Sequence, residues 1–173
     1  MTLPPIFPLP RHITPSDGVT ALNGGITAPP DCAEDARAFL HILRRSDFHC
    51  GEGNLTLERD SSLNTDTYRI LCGKDGVTVR ASGRRGFVFA AATLSQLIRP
   101  GRTLPCLTVS DAPYLPLRGA HFYLPPKDGI DTFCRILDAL AYLKYNTIFL
   151  EIGGGVEYRS HPELADAWRR FCR

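Results

Sequence analysis

Two short runs that each keep an apolar period of two, separated by four turn-forming residues, constrain this chain more than anything else in it. Tyr68, Ile70 and Cys72 make the first run, Val77, Val79 and Ala81 the second, and Gly73-Lys74-Asp75-Gly76 lies between them. Alternation of this kind marks a strand with one face buried. The arrangement predicts a β-hairpin, with glycine supplying a positive φ in the turn. A half-buried sheet needs a cover, and two segments offer one. Ala33, Ala36, Phe39, Leu40 and Leu43 recur at helical spacing, which predicts an amphipathic helix over 32–45, with Asp31 as N-cap and Glu34 completing a capping box. Gly86 to Ile98 predicts a second helix with Phe87, Ala91, Leu94 and Leu97 on one face, ended by Gly101. Asn54–Glu58 and Leu104–Val109 read as further strands, and the Pro- and Gly-rich residues 1–30 as short β-like pieces such as Gly25–Ala28. Together these predict a small α+β domain, a sheet with helices on one face, ending near Ser110.

The pattern then changes. Leu117–Leu124 reads as a strand. Asp128 caps a helix to Lys144 with Phe133, Leu137, Leu140 and Leu143 in a stripe. Thr147–Ile152 reads as a buried strand, and Pro162 opens a last helix through Phe171. Strand, helix, strand, helix is the pattern of a parallel α/β unit. Two parallel strands leave both edges unpaired, and the last helix has little against which to pack Leu164, Trp168 and Phe171. Either this region docks on a partner chain or the chain is cut short.

Composition narrows the function. A net charge of +2, with 43% hydrophobic and 22% charged residues, is that of a soluble globular protein and argues against nucleic acid or an anionic membrane as partner. The longest apolar stretch, Phe87–Leu94, falls far short of the ~20 residues of a membrane span. Met1–Pro10 lacks a basic flank and holds four prolines, so no signal peptide is read there and the expected location is cytoplasmic. Cys32, Cys50, Cys72, Cys106, Cys134 and Cys172 form no CxxC pair and no metal-ligand spacing, and are read as reduced structural thiols. His49 beside Cys50 has no second ligand pair to answer it. No metal and no cofactor are expected.

Three stretches carry a resemblance. Tyr68-Arg69-Ile70, Asp75-Gly76-Val77-Thr78-Val79 and Gly86-Phe87 with Ala92-Thr93-Leu94-Ser95-Gln96-Leu97 resemble the accessory domain of family 20 glycoside hydrolases, whose helix reads G-x-x-T-L-x-Q-L. Val109-Ser110-Asp111-Ala112-Pro113-Tyr114-Leu115-Pro116-Leu117-Arg118-Gly119 is similar to that family's entry to its barrel, I-x-D-x-P-R-F-P-Y-R-G. Ala141-Tyr142-Leu143-Lys144-Tyr145-Asn146 is similar to M-A-x-x-K-x-N before the second barrel strand. The resemblance implies an accessory α+β domain over 1–112, followed over 113–173 by the first two β/α units of an incomplete (β/α)8 TIM barrel, which in full takes about 250 residues.

It also implies an activity. The family removes terminal N-acetylhexosamines from glycans by a substrate-assisted route, outside the usual two-carboxylate scheme. The sugar's own acetamido oxygen attacks, an Asp stabilises the developing cation, and an adjacent Glu is general acid and then base. This sequence holds no Asp-Glu dipeptide; Glu34-Asp35 is reversed and on an accessory helix. No catalytic residue is assigned, and the chain is expected to be inactive alone. The family's first-strand D-x-x-R falls on Tyr123 and Pro126. Its second-strand H-L-T-D-D-Q-G-W-R falls on Glu151-Ile152-Gly153-Gly154-Gly155-Val156-Glu157-Tyr158-Arg159, where only the aromatic-Arg ending survives.

Glu151, Glu157, Tyr158, Arg159 and His161 are the candidate substrate contacts, because barrel enzymes place their sites at the C-terminal ends of strands. The competing reading makes Glu157 and Arg159 a loop ion pair. Gly153-Gly154-Gly155 fits neither phosphate-loop pattern and is read as a tight turn. His121 is read as a satisfied interior histidine, and Arg118 as an anchor at the strand's start. The expected partners are a glycan with a terminal N-acetylhexosamine, once the rest of a barrel completes the site, and a remaining barrel chain. The alternative is a non-enzymatic carbohydrate-binding or accessory module that docks on a separate barrel chain. An autonomous enzyme of another class has no nucleophile–base motif, metal cluster or phosphate loop to support it.

Overall fold

A computed structural model describes residues 4–152 and 159–165. The chain divides into two compact units: Met1–Pro116 with Ala141–Lys144, and Leu117–Leu140 with Tyr145–Arg173.

The first unit is a seven-stranded mixed sheet under two helices. In chain order its elements are β1 (His12–Ala21), β2 (Gly25–Thr27), α1 (Ala33–Leu43), β3 (His49–Cys50), β4 (Leu55–Arg59), β5 (Tyr68–Cys72), β6 (Val77–Ala81), α2 (Arg84–Leu97) and β7 (Thr103–Asp111). The strands lie in the order β1-β7-β5-β6-β4-β2-β3. Alternation sorts the side chains as the sequence predicts. Leu55, Leu57, Tyr68, Ile70, Val77, Val79 and Val109 are buried with Phe39 and Leu43 of α1 and Phe87, Leu94 and Leu97 of α2. Three consecutive alanines, Ala90–Ala92, are also fully buried. The opposite face is polar and part-exposed, and there Arg80 Nε lies 2.7 Å from Glu58 Oε2, across the β4–β6 register pair Glu58↔Arg80.

The β5–β6 hairpin is present, with Tyr68 opposite Ala81 and Cys72 opposite Val77. Neither of its glycines takes the positive φ expected, and Gly76 serves another purpose. Positive φ among the described glycines occurs only at Gly18, Gly24 and Gly101. At Gly76 a Cβ would run into the carbonyl oxygen of Asn54, because β6 enters beside β4 and the Val77 N–H donates to that carbonyl at 2.8 Å. Close backbone approach, not handedness, selects glycine there.

Two other expectations are corrected. Residues 12–21 are a ten-residue strand, not short pieces, paired antiparallel to β7 with an irregularity between Pro15 and Val19. β1 is an edge strand, where a proline costs no ladder bond, and Thr20 is its one buried residue, so no alternation announces it. Asp31 is not a helix cap. It sits in a 3-10 turn, Pro30–Cys32, ahead of α1, whose N-cap Cys32 makes no side-chain cap bond. Its carboxylate instead accepts Arg59 Nε at 3.1 Å, while Arg59 Nη2 reaches Asp35 at 2.6 Å. Of the thiols, Cys32, Cys72 and Cys106 are free and buried, as small apolar residues would be, whereas Cys50 and Cys134 are exposed.

One polar cluster lies inside this unit. Tyr68 O–H donates to Asp111 Oδ2 at 2.9 Å, and the Thr93 hydroxyl lies 2.6 Å from Tyr68 Oη. Lys144 Nζ donates to Tyr68 Oη at 2.9 Å and to Asp111 Oδ2 at 2.8 Å. Burial pushes the Asp111 carboxyl up, but the Lys144 hydrogen bond and charge, with help from the Arg11 N–H and Tyr68, outweigh it and hold the group below its ordinary value. Burial, then the Asp111 charge, push the Tyr68 phenol well above its own. A carboxyl whose folded pKa lies below the unfolded value of about 3.9 stabilises the fold fully above that value, and the contribution fades as pH falls through the folded pKa. Urea unfolding of the wild type should therefore lose stability, as pH falls below about 5, more steeply than that of Asp111→Asn. Equal slopes would show that the pair does not govern the acid limb.

The second unit holds β8 (Gly119–Tyr123), α3 (Ile130–Tyr142) and β9 (Thr147–Glu151). The two strands are parallel, from Gly119↔Thr147 to Tyr123↔Glu151. Asn146 closes their start: its N–H donates to the Arg118 carbonyl at 3.0 Å, and its Oδ1 accepts the Arg118 N–H at 3.0 Å. α3 begins later than expected, because a 3-10 turn at Lys127–Gly129 follows Pro125-Pro126 and takes in Asp128. The helix ends at Tyr142, not Lys144. Phe122 of β8 meets Phe133 of α3 edge-on, ring centroids 5.6 Å apart. The Thr147–Ile152 run was expected to be buried; instead Ile148, Phe149, Leu150 and Ile152 are 38–50% exposed. A two-stranded sheet with a helix on one face cannot bury them. Of the expected last helix, Pro162–Ala165 is a 3-10 turn and the remainder lies outside the described residues. Among the described residues no helix is long and apolar enough to cross a membrane.

Candidate functional site

The β8–β9 register decides which side chains of the second unit share a face. Phe122 points to α3, so its neighbours in sequence, His121 and Tyr123, take the other side. Their register partners are Phe149 and Glu151. The contacts agree. His121 Nε2 lies 3.2 Å from Glu151 Oε2, and the His121 and Tyr123 rings meet edge-on at 5.7 Å. The C-terminal ends of two parallel strands thus bring together a carboxylate, an imidazole and a phenol on the face turned away from the helix. Tyr123 is 72% exposed, and the His121 and Glu151 side chains are about half exposed. Among the described residues His121 is thus satisfied by Glu151, with its side chain about half exposed.

Chemically this is a hydrogen-bonding cluster with an aromatic ring beside it. A carboxylate accepts two hydroxyl donors readily, and an open tyrosine ring presents an apolar face. Glu151 is the expected site residue that the structure places here. His161 lies with Glu163, Nδ1 to Oε1 at 3.0 Å, and Arg159 is exposed beyond β9. Glu157 and Tyr158, with Gly153–Gly155, lie outside the described residues. Among the described residues no three His, Cys, Asp or Glu side chains converge to hold a metal ion. The sequence signal for His121 and Tyr123 is their spacing of two, matched to Glu151 at the end of the next strand.

Known proteins bear on both units. The family model described as "Glycosyl hydrolase family 20, domain 2" matches residues 3–112. A beta-hexosaminidase of Vibrio furnissii is 30% identical over 186 residues, covering 95% of this chain and 30% of that protein. A beta-hexosaminidase of Akkermansia muciniphila is 30% identical over 116 residues, covering 60% of this chain and 23% of that one. This chain thus spans less than a third of either relative. Two solved structures share the fold. The Vibrio harveyi GH20 exo β-N-acetylglucosaminidase in complex with N-acetylglucosamine superposes with a TM-score of 0.79 at 24% identity, over 93% of this chain and 28% of that one. The β-N-acetylhexosaminidase of Bacteroides fragilis gives 0.76 at 24% identity, over 92% and 36%. The match to residues 3–112 takes in the whole sheet and both covering helices described above. The chain belongs to glycosyl hydrolase family 20.

Proposed function

We propose that this chain supplies the accessory domain, residues 1–112, and the opening strands of the (β/α)8 barrel, residues 113–173, of a β-N-acetylhexosaminidase-type glycosidase acting on glycans with terminal N-acetylhexosamine. The observation that carries the reading is the succession itself: a family 20 domain followed by a parallel β8–α3–β9 unit. The helix-free face of that unit gathers His121, Tyr123 and Glu151 at the strand ends. In a closed barrel that face looks inward, and those ends form the site. Glu151 then accepts sugar hydroxyls, held by His121, while Tyr123 offers its ring to the sugar. Glu157, Tyr158, Arg159 and His161, which follow β9 in sequence, are the further candidate sugar contacts in this reading. The Asp-Glu pair of the family's reaction is not among these 173 residues, so in this reading it comes from barrel strands outside them.

The test compares two preparations with an aryl N-acetyl-β-glucosaminide. The purified 173-residue chain should show no turnover, while the enzyme with a complete barrel turns over. In the latter, Glu151→Gln should raise KM roughly tenfold or more, as loss of a charged hydrogen bond does. Turnover that stays with the purified chain through dilution would sink the reading. The second reading is an accessory module that docks on a separate barrel chain. It draws on the exposed Ile148, Phe149, Leu150 and Ile152 and predicts a barrel protein that co-purifies in fixed ratio.

A further inference from the structure

α3 ends in a turn whose chemistry is at odds with its sequence. The Lys144 N–H donates to the Ala141 carbonyl at 3.0 Å and the Tyr145 N–H to that of Leu140 at 2.9 Å. These are the paired bonds of a Schellman motif, and they put Lys144 at the position that glycine ordinarily takes. Its φ is 64°, a left-handed conformation that disfavours a side chain. Lysine is also among the residues least often buried, yet Lys144 is 7% exposed. A residue that is unfavourable twice over at one place needs a compensating contact.

The contact is the polar cluster of the first unit. Asp111 Oδ2 accepts from both Tyr68 and Lys144, and Tyr68 Oη accepts from Lys144. The Asp111 side chain is only 11% exposed, and without the ammonium its carboxylate would lose its counter-charge. The residues just before Lys144 belong to the same interior. Ala141 and Tyr142 pack against the core, the Ser95 hydroxyl lies 3.1 Å from Tyr142 Oη, and the Arg44 guanidinium lies 5.4 Å from the centre of the Tyr142 ring.

We propose that Ala141–Lys144 is an obligatory part of the small α+β domain, and that Lys144 is a buried latch closing the Tyr68–Thr93–Asp111 cluster. The folding unit therefore extends well past the matched residues 3–112 and takes in the last two residues of α3 and the turn after them. The left-handed lysine is kept for its ammonium and not for the turn.

Lys144→Gly in the full chain separates the two roles, because it relieves the backbone while deleting the charge. The latch predicts that the equilibrium constant for unfolding in urea rises at least tenfold. It also predicts that Asp111→Asn costs much less in the Lys144→Gly background than in the wild type. A Lys144→Gly chain as stable as the wild type, or more stable, overturns the proposal, since the lysine would then be only a strained turn residue. Should the variants not fold, hydrogen exchange on the wild type decides. The Lys144 and Tyr145 amides should exchange through the same opening as those of Ile70 and Val109. Exchange a hundredfold faster at 144–145 would show that the segment leaves while the domain stays closed.

Discussion

Phe87→Ala is expected to remove about 3–5 kcal/mol from the small domain, the usual cost of deleting a buried aromatic side chain. Phe87 is fully buried in the first turns of α2 and belongs to the core formed by α1, α2 and the sheet. The void left behind would close poorly. Gly86 beside it already sits where a Cβ would strike the Thr67 carbonyl and the Ala81 side chain, so α2 has no slack to move inward. The next turn carries Ala90, Ala91 and Ala92, too short to reach into the space. Domains of this size are stable by about 5–15 kcal/mol, so the variant should keep half or less of its margin if the wild type is at the lower end. Urea denaturation with a common m-value gives the number directly. A loss below about 1 kcal/mol, the range of ordinary surface changes, would mean that the ring is not part of the core.

Gly25→Ala should cost about 2–3 kcal/mol, through overpacking and not through a cavity. A Cβ on Gly25 would fall on the Glu52 carbonyl, and one on Gly53 would fall on the Gly25 carbonyl. The two backbones thus touch where β2 begins, beside the loop that joins β3 to β4, and the residues at 25 and 53 are both glycine. The neighbours in contact are main-chain atoms, which cannot swing aside as a side-chain tip would. The expected readout is a fall in Tm of roughly 8 °C or more, at about 4–8 °C per kcal/mol for a domain of this length. A melting point within a degree of wild type would show that the loop at Gly51–Gly53 yields freely.

What could be read in the sequence follows from what side chains announce. The β5–β6 pair and the faces of α1 and α2 were legible because each buries one stripe, and burial leaves a period. β1 was not, since an edge strand with Pro15, Gly18 and a single buried residue has no period to show. Asp31 followed the rule for helix caps and was claimed instead by Arg59, a partner 28 residues away that no local pattern names. Lys144 gave no sign of a left-handed turn, because the side chain that compensates for it acts through Tyr68 and Asp111. At the candidate site, the place of Glu151 at a strand end is legible in the sequence. The surroundings of His121 are not legible, because they depend on which face of β8 the helix covers, and one strand's alternation cannot tell the two faces apart. Only the register with β9, once known, sorts His121 with Glu151 and Phe122 with the helix.

The pairing of β1 with β7 has a consequence for how the chain is made. His12 finds its place opposite Ser110, so on the ribosome the first strand to emerge waits for the last strand of its sheet, some 5–20 s at about 5–20 residues per second. Throughout that interval it is an unpaired strand among other nascent and folded chains, the circumstance in which edge strands aggregate. Pro15 and Gly18, which break its ladder in the finished fold, also make it a poor template while it waits. The irregularity that hid the strand from its own sequence pattern can serve as its protection during synthesis.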